Sequence, residues 1–191
     1  MDISVNSICK SFKGQQVLDN ISMSFLAGAI TCIMGASGVG KTTLAYILMG
    51  LLEPDSGEIT GLLEKKVSAV FQEDRLIEHW DAIKNIMLVC NRDVTKEKVE
   101  HHLSEIGLTE YEGKPVKALS GGMRRRVAIV RALLSEYDLL IMDEPFKGLD
   151  EELKKHAITY VRENTKKKTL IVITHDRDEV ERLQARLITM S

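Results

Sequence analysis

The sequence predicts an α/β fold: a parallel sheet covered by helices, with a helical insertion in the middle. Three observations predict it. Leu139-Leu140-Ile141-Met142 and Leu170-Ile171-Val172-Ile173-Thr174 are continuous apolar runs of strand length, the pattern of strands buried on both faces. Ile21, Met23 and Phe25 instead alternate with polar residues at period two, which suits a sheet with one solvated face. From Gln72 to about Arg131 the character changes to helical, with Val99, Leu103 and Ile106 recurring at helical spacing.

Each element has its own reason. Ile3, Val5 and Ile8 mark a first strand and Val17 to Phe25 a second. Ala27-Gly28-Ala29 turns the chain into a buried strand, Ile30 to Met34, and a helix follows from about Lys41. Pro54-Asp55-Ser56-Gly57 is a turn signal, with short strands expected at Gly57–Thr60 and Val67–Phe71. Asp81 is placed to cap a helix over Ala82–Cys90. Thr95 to Lys98 opens another helix, with Val99, Leu103 and Ile106 on one face and Gly107 at its C-terminal cap. Ser120 is placed to cap a third, in which Val127, Ala128, Val130, Ala132 and Leu133 are the expected core positions. Helices are expected again over Glu151–Glu163 and Arg177–Gln184.

A chain of 191 residues with 44% hydrophobic and 28% charged residues suits one globular domain with a substantial core. The net charge of -2 gives no general attraction to nucleic acid or an anionic membrane. Arg124-Arg125-Arg126 and Lys166-Lys167-Lys168 read as solvated surfaces. Cys9, Cys32 and Cys90 are far apart and form no C-x-x-C, so the expectation is reduced thiols without a zinc site. The N-terminus lacks the basic start and apolar block of a signal peptide, and no run is long enough to span a bilayer.

The chemistry is concentrated in a few motifs. Gly35-Ala36-Ser37-Gly38-Val39-Gly40-Lys41-Thr42, followed by Thr43, fits G-x-x-x-x-G-K-[ST] between a strand and a helix. Its glycines let successive N–H groups turn toward a phosphate chain, and the helix start adds a favourable dipole. Lys41 is placed to reach the β- and γ-phosphates and Thr42 to bind Mg²⁺. Asp143 ends a buried strand at its carboxyl end, where it can hold Mg²⁺, and Glu144 beside it can activate a water. Ser120-Gly121-Gly122 at a helix start forms a second anion-binding turn. One chain with one triphosphate has no evident need of two such turns; two copies arranged head-to-tail would use both. His101-His102 reads as a solvated pair, Trp80 as a packing residue, and His79, Met87 and His156 carry no constellation.

In this order the motifs resemble the nucleotide-binding subunit of ABC transporters over nearly the whole chain. The resemblance implies an α/β P-loop NTPase core of ABC type, residues 1–72 and 132–191, with an antiparallel β subdomain and a helical signature subdomain over 73–131. It implies that Phe12 stacks on adenine, and that Gly35 to Thr43 form the Walker A loop. Gln72 matches the Q-loop glutamine, Ser120, Gly121 and Gly122 the signature, and Asp143 and Glu144 the Walker B carboxylates. Asp150 matches the D-loop and His175 the switch histidine. ATP and Mg²⁺ are the implied cofactors, with Thr42, Gln72 and Asp143 around the metal. The implied partners are a second copy, integral-membrane permease subunits and, for an importer, a solute-binding protein, with no nucleic acid. The implied location is the cytoplasmic face of the cell membrane, held there by the permease.

Met123 stands where glutamine is usual after Ser-Gly-Gly, and Phe12 lacks the hydroxyl of the commoner tyrosine. The chain also ends soon after His175, so the regulatory C-terminal domain of some importers is not expected. The wording from Phe71 to Leu76 and from Asp143 to Asp150 is similar to nitrate, sulfonate and taurine importers. An exporter or lipoprotein-release ATPase is the alternative within transport. A DNA-maintenance or translation ATPase, or a phosphotransferase, is the alternative outside it; the first would need a coiled-coil insertion or a second cassette, the last an acceptor site.

Overall fold

A computed structural model describes residues 1–191. The chain forms two sheets. The first is antiparallel, with β1 (Ile3–Phe12) between β2 (Gln15–Phe25) and β4 (Ser56–Thr60). The second is parallel throughout, in the order β5 (Val67–Val70), β6 (Leu139–Asp143), β7 (Thr169–Ile173), β3 (Ile30–Gly35) and β8 (Arg186–Met190).

The apolar runs explain how this sheet is covered. Side chains alternate across a strand, so each run serves two cores. Ile33, Leu139, Ile141, Ile171 and Ile173 face one side, against Leu44 and Leu48 of α1 (Lys41–Leu48) and against Ile3, Val5 and Phe25 of the antiparallel sheet. Cys32, Leu140, Met142, Leu170 and Val172 face the other. There they meet Val127 and Val130 of α4 (Gly121–Leu134) and Ile158 and Val161 of α5 (Glu151–Asn164). Helix α6 (Arg177–Leu183) leads from β7 to β8, and α2 (Ala82–Met87) and α3 (Lys96–Glu105) complete the helical stretch.

The capping expectations hold. Asp81, Thr95 and Ser120 each accept a backbone N–H three residues on, and Gly107 takes the positive φ of 75° that closes α3. Asp150 caps α5 in the same way, a role the sequence reading did not assign. Helix α2 is shorter than expected. The N–H groups of Val89 and Cys90 reach back only three residues, to Ile86 and Met87, and Cys90 is then taken into a bridge with Ser135. Strand β8 was not legible as a strand: Arg186-Leu187-Ile188-Thr189-Met190 is neither a continuous apolar run nor a period-two alternation, and as an edge strand it borders only β3.

The arginine run is not a solvated surface. Arg125 and Arg126 are 7% and 6% exposed. Arg126 donates to the carbonyls of Gly107 and Gly122, holding α3's end against α4's start. Buried guanidinium is stable here because carbonyls replace its water. His102 also departs from the solvated reading: its ring accepts or donates at the Tyr160 hydroxyl, 2.9 Å away, while His101 is exposed.

Candidate functional site

The strand β3 delivers the chain to a loop that only glycine can form at two points. A Cβ on Gly35 would lie 2.4 Å from the Met190 carbonyl oxygen. A Cβ on Gly40, at φ 95°, would lie 2.5 Å from a Leu18 methyl and 2.9 Å from the Val17 oxygen. Gly38 has open space where its Cβ would be, so here the backbone itself is the surface. Gly40 offers no side chain to cap α1, which leaves the first-turn N–H groups of Lys41, Thr42 and Thr43 available to a ligand. Lys41 is 6% exposed and donates to the carbonyls of Gly35 at 3.0 Å and Ala36 at 2.8 Å. A buried ammonium and uncapped N–H groups around an open glycine surface fit a polyanion.

The loop opens into a cleft of ≈ 230 Å³. Ser37, Gly38 and Lys41 to Thr43 line one wall; Gln72, Asp143, Glu144 and His175 line the other. Asp143 ends β6 and is 3% exposed. Its Oδ2 accepts the Thr42 hydroxyl at 2.8 Å. Burial pushes its carboxyl above the ordinary aspartate range, the Thr42 bond opposing. A carboxylate, a hydroxyl and the Gln72 amide oxygen are hard donors, the set that suits Mg²⁺ rather than zinc. The residues present therefore fit the implied ion.

Glu144 has a left-handed backbone, φ 47°, and its N–H is held by the Ile173 carbonyl at 2.9 Å. A non-glycine residue seldom takes this conformation, and here it turns the carboxylate toward the cleft. One carboxylate oxygen lies 3.3 Å from His175 Nε2; the other lies 2.7 Å from Lys147 Nζ. The lysine contact was missed in the sequence, where a charged residue in a loop carries no partner. His175 is itself fixed by its neighbours. Thr174 is 2% exposed, and its hydroxyl donates to Glu179; Asp176 pairs with Lys154 at 2.6 Å. Burial raises the Glu179 carboxyl, while the Lys154 hydrogen bond lowers that of Asp176.

The structure does not bring every expected site residue together. Ser120, Gly121, Gly122 and Asp150 do not line the phosphate-loop cleft of their own chain. Ser120 and Gly121 are exposed at the start of α4, and a Cβ on Gly122 would touch Leu149, one residue before Asp150, at 3.2 Å. Phe12 is 44% exposed at the β1–β2 turn, outside the cleft lining, with Lys10 Nζ 5.7 Å from its ring centre. An exposed aromatic there has a face free to stack. Val39 packs against the apolar core rather than the cleft.

The ABC transporter profile matches residues 18–147. The chain belongs to the ABC transporter family. An aliphatic sulfonates import ATP-binding protein, SsuB 2 of Pseudomonas savastanoi pv. phaseolicola, is 35% identical over 99% of this chain and 70% of its own length. A spermidine/putrescine import ATP-binding protein, PotA of Spiroplasma citri, is 34% identical over 99% of this chain. The chain spans 59% of that relative's length and 44% of the PotA protein of Bacteroides fragilis. The dimeric structure of MJ0796, a bacterial ABC transporter cassette, superposes with a TM-score of 0.86 at 26% identity, covering 98% of this chain and 94% of that one. Its post-hydrolysis dimer bound to ADP and Pi gives the same TM-score and covers 99% of this chain. The ABC cassette fold expected from the motifs is thus the fold observed. No helix of this ABC chain is long and apolar enough to cross a membrane.

Proposed function

We propose that this chain is the ATP-hydrolysing subunit of an ABC transporter, closing as a homodimer around two ATP to drive a separate permease in solute import. The observation that carries the reading is the split site: a phosphate-loop cleft, and an exposed Ser-Gly-Gly turn that does not line it. A head-to-tail pair would set each turn against the other copy's nucleotide. In this reading residues 1–72 and 132–191 are the nucleotide-binding core, and 73–131 the helical signature part.

Phe12 stacks on adenine, and the loop from Gly35 to Thr43 wraps the phosphates. Lys41 shifts its N–H bonds from the Gly35 and Ala36 carbonyls to the β- and γ-phosphates. Thr42, Asp143 and Gln72 would hold Mg²⁺, which when bound would supply charge neutralisation on the phosphates. Glu144 orients the attacking water and takes its proton, while His175, braced by Thr174 and Asp176, holds Glu144 and the γ-phosphate in register. Ser120, Gly121 and Gly122, with Asp150, close over the partner's nucleotide.

The permease would seat in a groove of ≈ 510 Å³ beside the Gln72 loop, lined by apolar Met49, Leu51, Phe71 and Val89 with Arg131 and Glu136 among its polar residues. Such a groove suits a short amphipathic helix. The permease would hold this chain to the cytoplasmic face of the cell membrane, with a solute-binding protein on the far side.

The test is Mg²⁺-dependent ATP turnover by the purified chain, together with what co-purifies from detergent-solubilised membranes. A hydrophobic permease supports import or export; ribosomes or DNA would overturn the transport reading. Lys41→Ala is expected to weaken ATP binding about 10- to 100-fold, because a charge-assisted contact to the phosphates is lost. Wild-type affinity, measured with a fluorescent nucleotide, would remove the phosphate-loop assignment.

A further inference from the structure

The Gln72 loop is held by arginines, and one of them is buried. Arg125 Nη1 donates to the Phe71 carbonyl at 2.6 Å, and its Nη2 donates to the Gln72 carbonyl. Its Nε lies 3.3 Å from Asp74 Oδ1. Neither of those two atoms has another partner, and both are buried, so the pair satisfies itself through charge rather than an aligned hydrogen bond. Arg131 donates to the carbonyls of Asp74, at 3.0 Å, and Arg75, at 2.8 Å. On the loop's other side the Arg75 guanidinium lies 3.7 Å from the centre of the Phe71 ring and donates to the Tyr46 hydroxyl of α1 at 3.1 Å. The five residues from Phe71 to Arg75 are therefore clamped between α4 and the helix that follows the phosphate loop.

We propose that Arg125 is a positioning residue that fixes the peptide planes of Phe71 and Gln72, aims the Gln72 side chain into the phosphate cleft, and joins that loop to the Ser120–Gly122 end of α4. Two consecutive carbonyls held by one planar fork leave the intervening peptide little freedom to rotate. Arg125 lies about one and a half turns beyond Ser120 on the same helix, too close for the two ends to move independently. A lysine could not reproduce the clamp, since a point charge lacks the fork and the Nε donor. The proposal rests on the nucleotide-site reading above.

The test pairs steady-state turnover with hydrogen exchange, the exchange being measured with and without ATP in a Glu144→Gln background. In the parent, ATP is expected to slow exchange over both 35–43 and 71–76. Arg125→Met is expected to keep the slowing over 35–43 and ATP affinity within about threefold, while losing the slowing over 71–76 and lowering kcat about tenfold or more. Arg125→Lys should fall between. If 71–76 still responds to ATP in Arg125→Met as in the parent, or kcat is unchanged, Arg125 is a packing residue and the proposal is overturned. A parent in which ATP protects 35–43 but not 71–76 overturns it too. No protection over 35–43 in the parent would instead sink the nucleotide site itself. Should Arg125→Met fail to fold by circular dichroism, Asp74→Asn replaces it. Asp74→Asn keeps the carbonyl contacts but removes the charge that orients the guanidinium, so a reduced response over 71–76 is expected and an undiminished one overturns the proposal.

Discussion

Glu144→Gln is expected to lower ATP turnover by about 10²- to 10⁴-fold while leaving ATP affinity within a few-fold of wild type. The amide keeps the size of the side chain and can still hydrogen-bond His175, but it cannot accept a proton from water. Nothing in the phosphate loop is altered, so the binding contacts of Lys41, Thr42 and Thr43 remain. The loss of the Lys147 ion pair is a minor cost, since the lysine side chain is 61% exposed and such pairs contribute about 0–1 kcal/mol. Stability should therefore be close to wild type, which separates a chemical defect from an unfolded one. ATP should then accumulate in a closed dimer, visible by size-exclusion chromatography. Hydrolysis at the wild-type rate would take the general-base role away from Glu144 and leave its backbone strain unexplained.

How the site could be read from sequence differs from residue to residue. Lys41, Thr42 and Asp143 were legible because a phosphate-loop motif and the end of a buried strand mark them; Gly35 was placed by the same motif, but the Met190 carbonyl of β8 that excludes a Cβ there comes from the far end of the chain. The cores were legible because period-two alternation assigns Leu140 and Ile141 to opposite faces whatever surrounds them. The arginines of α4 were not legible. A run of three charges on a helix ordinarily faces water, and only the fold places the Phe71, Gln72 and Gly107 carbonyls where Arg125 and Arg126 can reach them. Lys147 beside Glu144, and Glu179 beneath Thr174, escaped notice likewise, because each depends on a loop conformation rather than a motif. Strand β8 was lost to its mixed pattern, neither continuously apolar nor alternating, and to its place at an edge.

Ser120→Arg tests whether the second anion-binding turn faces another molecule's nucleotide. Ser120 is exposed, so an arginine there meets solvent in the single chain, and that chain's own phosphate loop is untouched. Monomeric ATP binding should persist. The hydroxyl also caps α4 through the Met123 N–H, and losing the cap costs about 1 kcal/mol. Ser120→Asp separates the two effects, because aspartate caps as well as serine yet puts a negative charge against the partner's γ-phosphate. In a Glu144→Gln background, both variants are expected to reduce the ATP-dependent dimer to less than about a tenth of the parent's, given the several kcal/mol that juxtaposed like charges or overpacking cost. In turnover assays without that background, both should lose hydrolysis. Mixing Ser120→Arg with Lys41→Ala subunits sharpens the geometry. In a head-to-tail pair both lesions fall on one composite site, and the other keeps an intact Lys41 and an intact Ser120. Recovery of turnover in the mixture, from two inactive parents, is the expected result where one complete site suffices. Dimers that form as readily in Ser120→Arg and Ser120→Asp as in the parent would mean that the Ser-Gly-Gly turn does not meet a partner's nucleotide, and the head-to-tail arrangement would have to be abandoned.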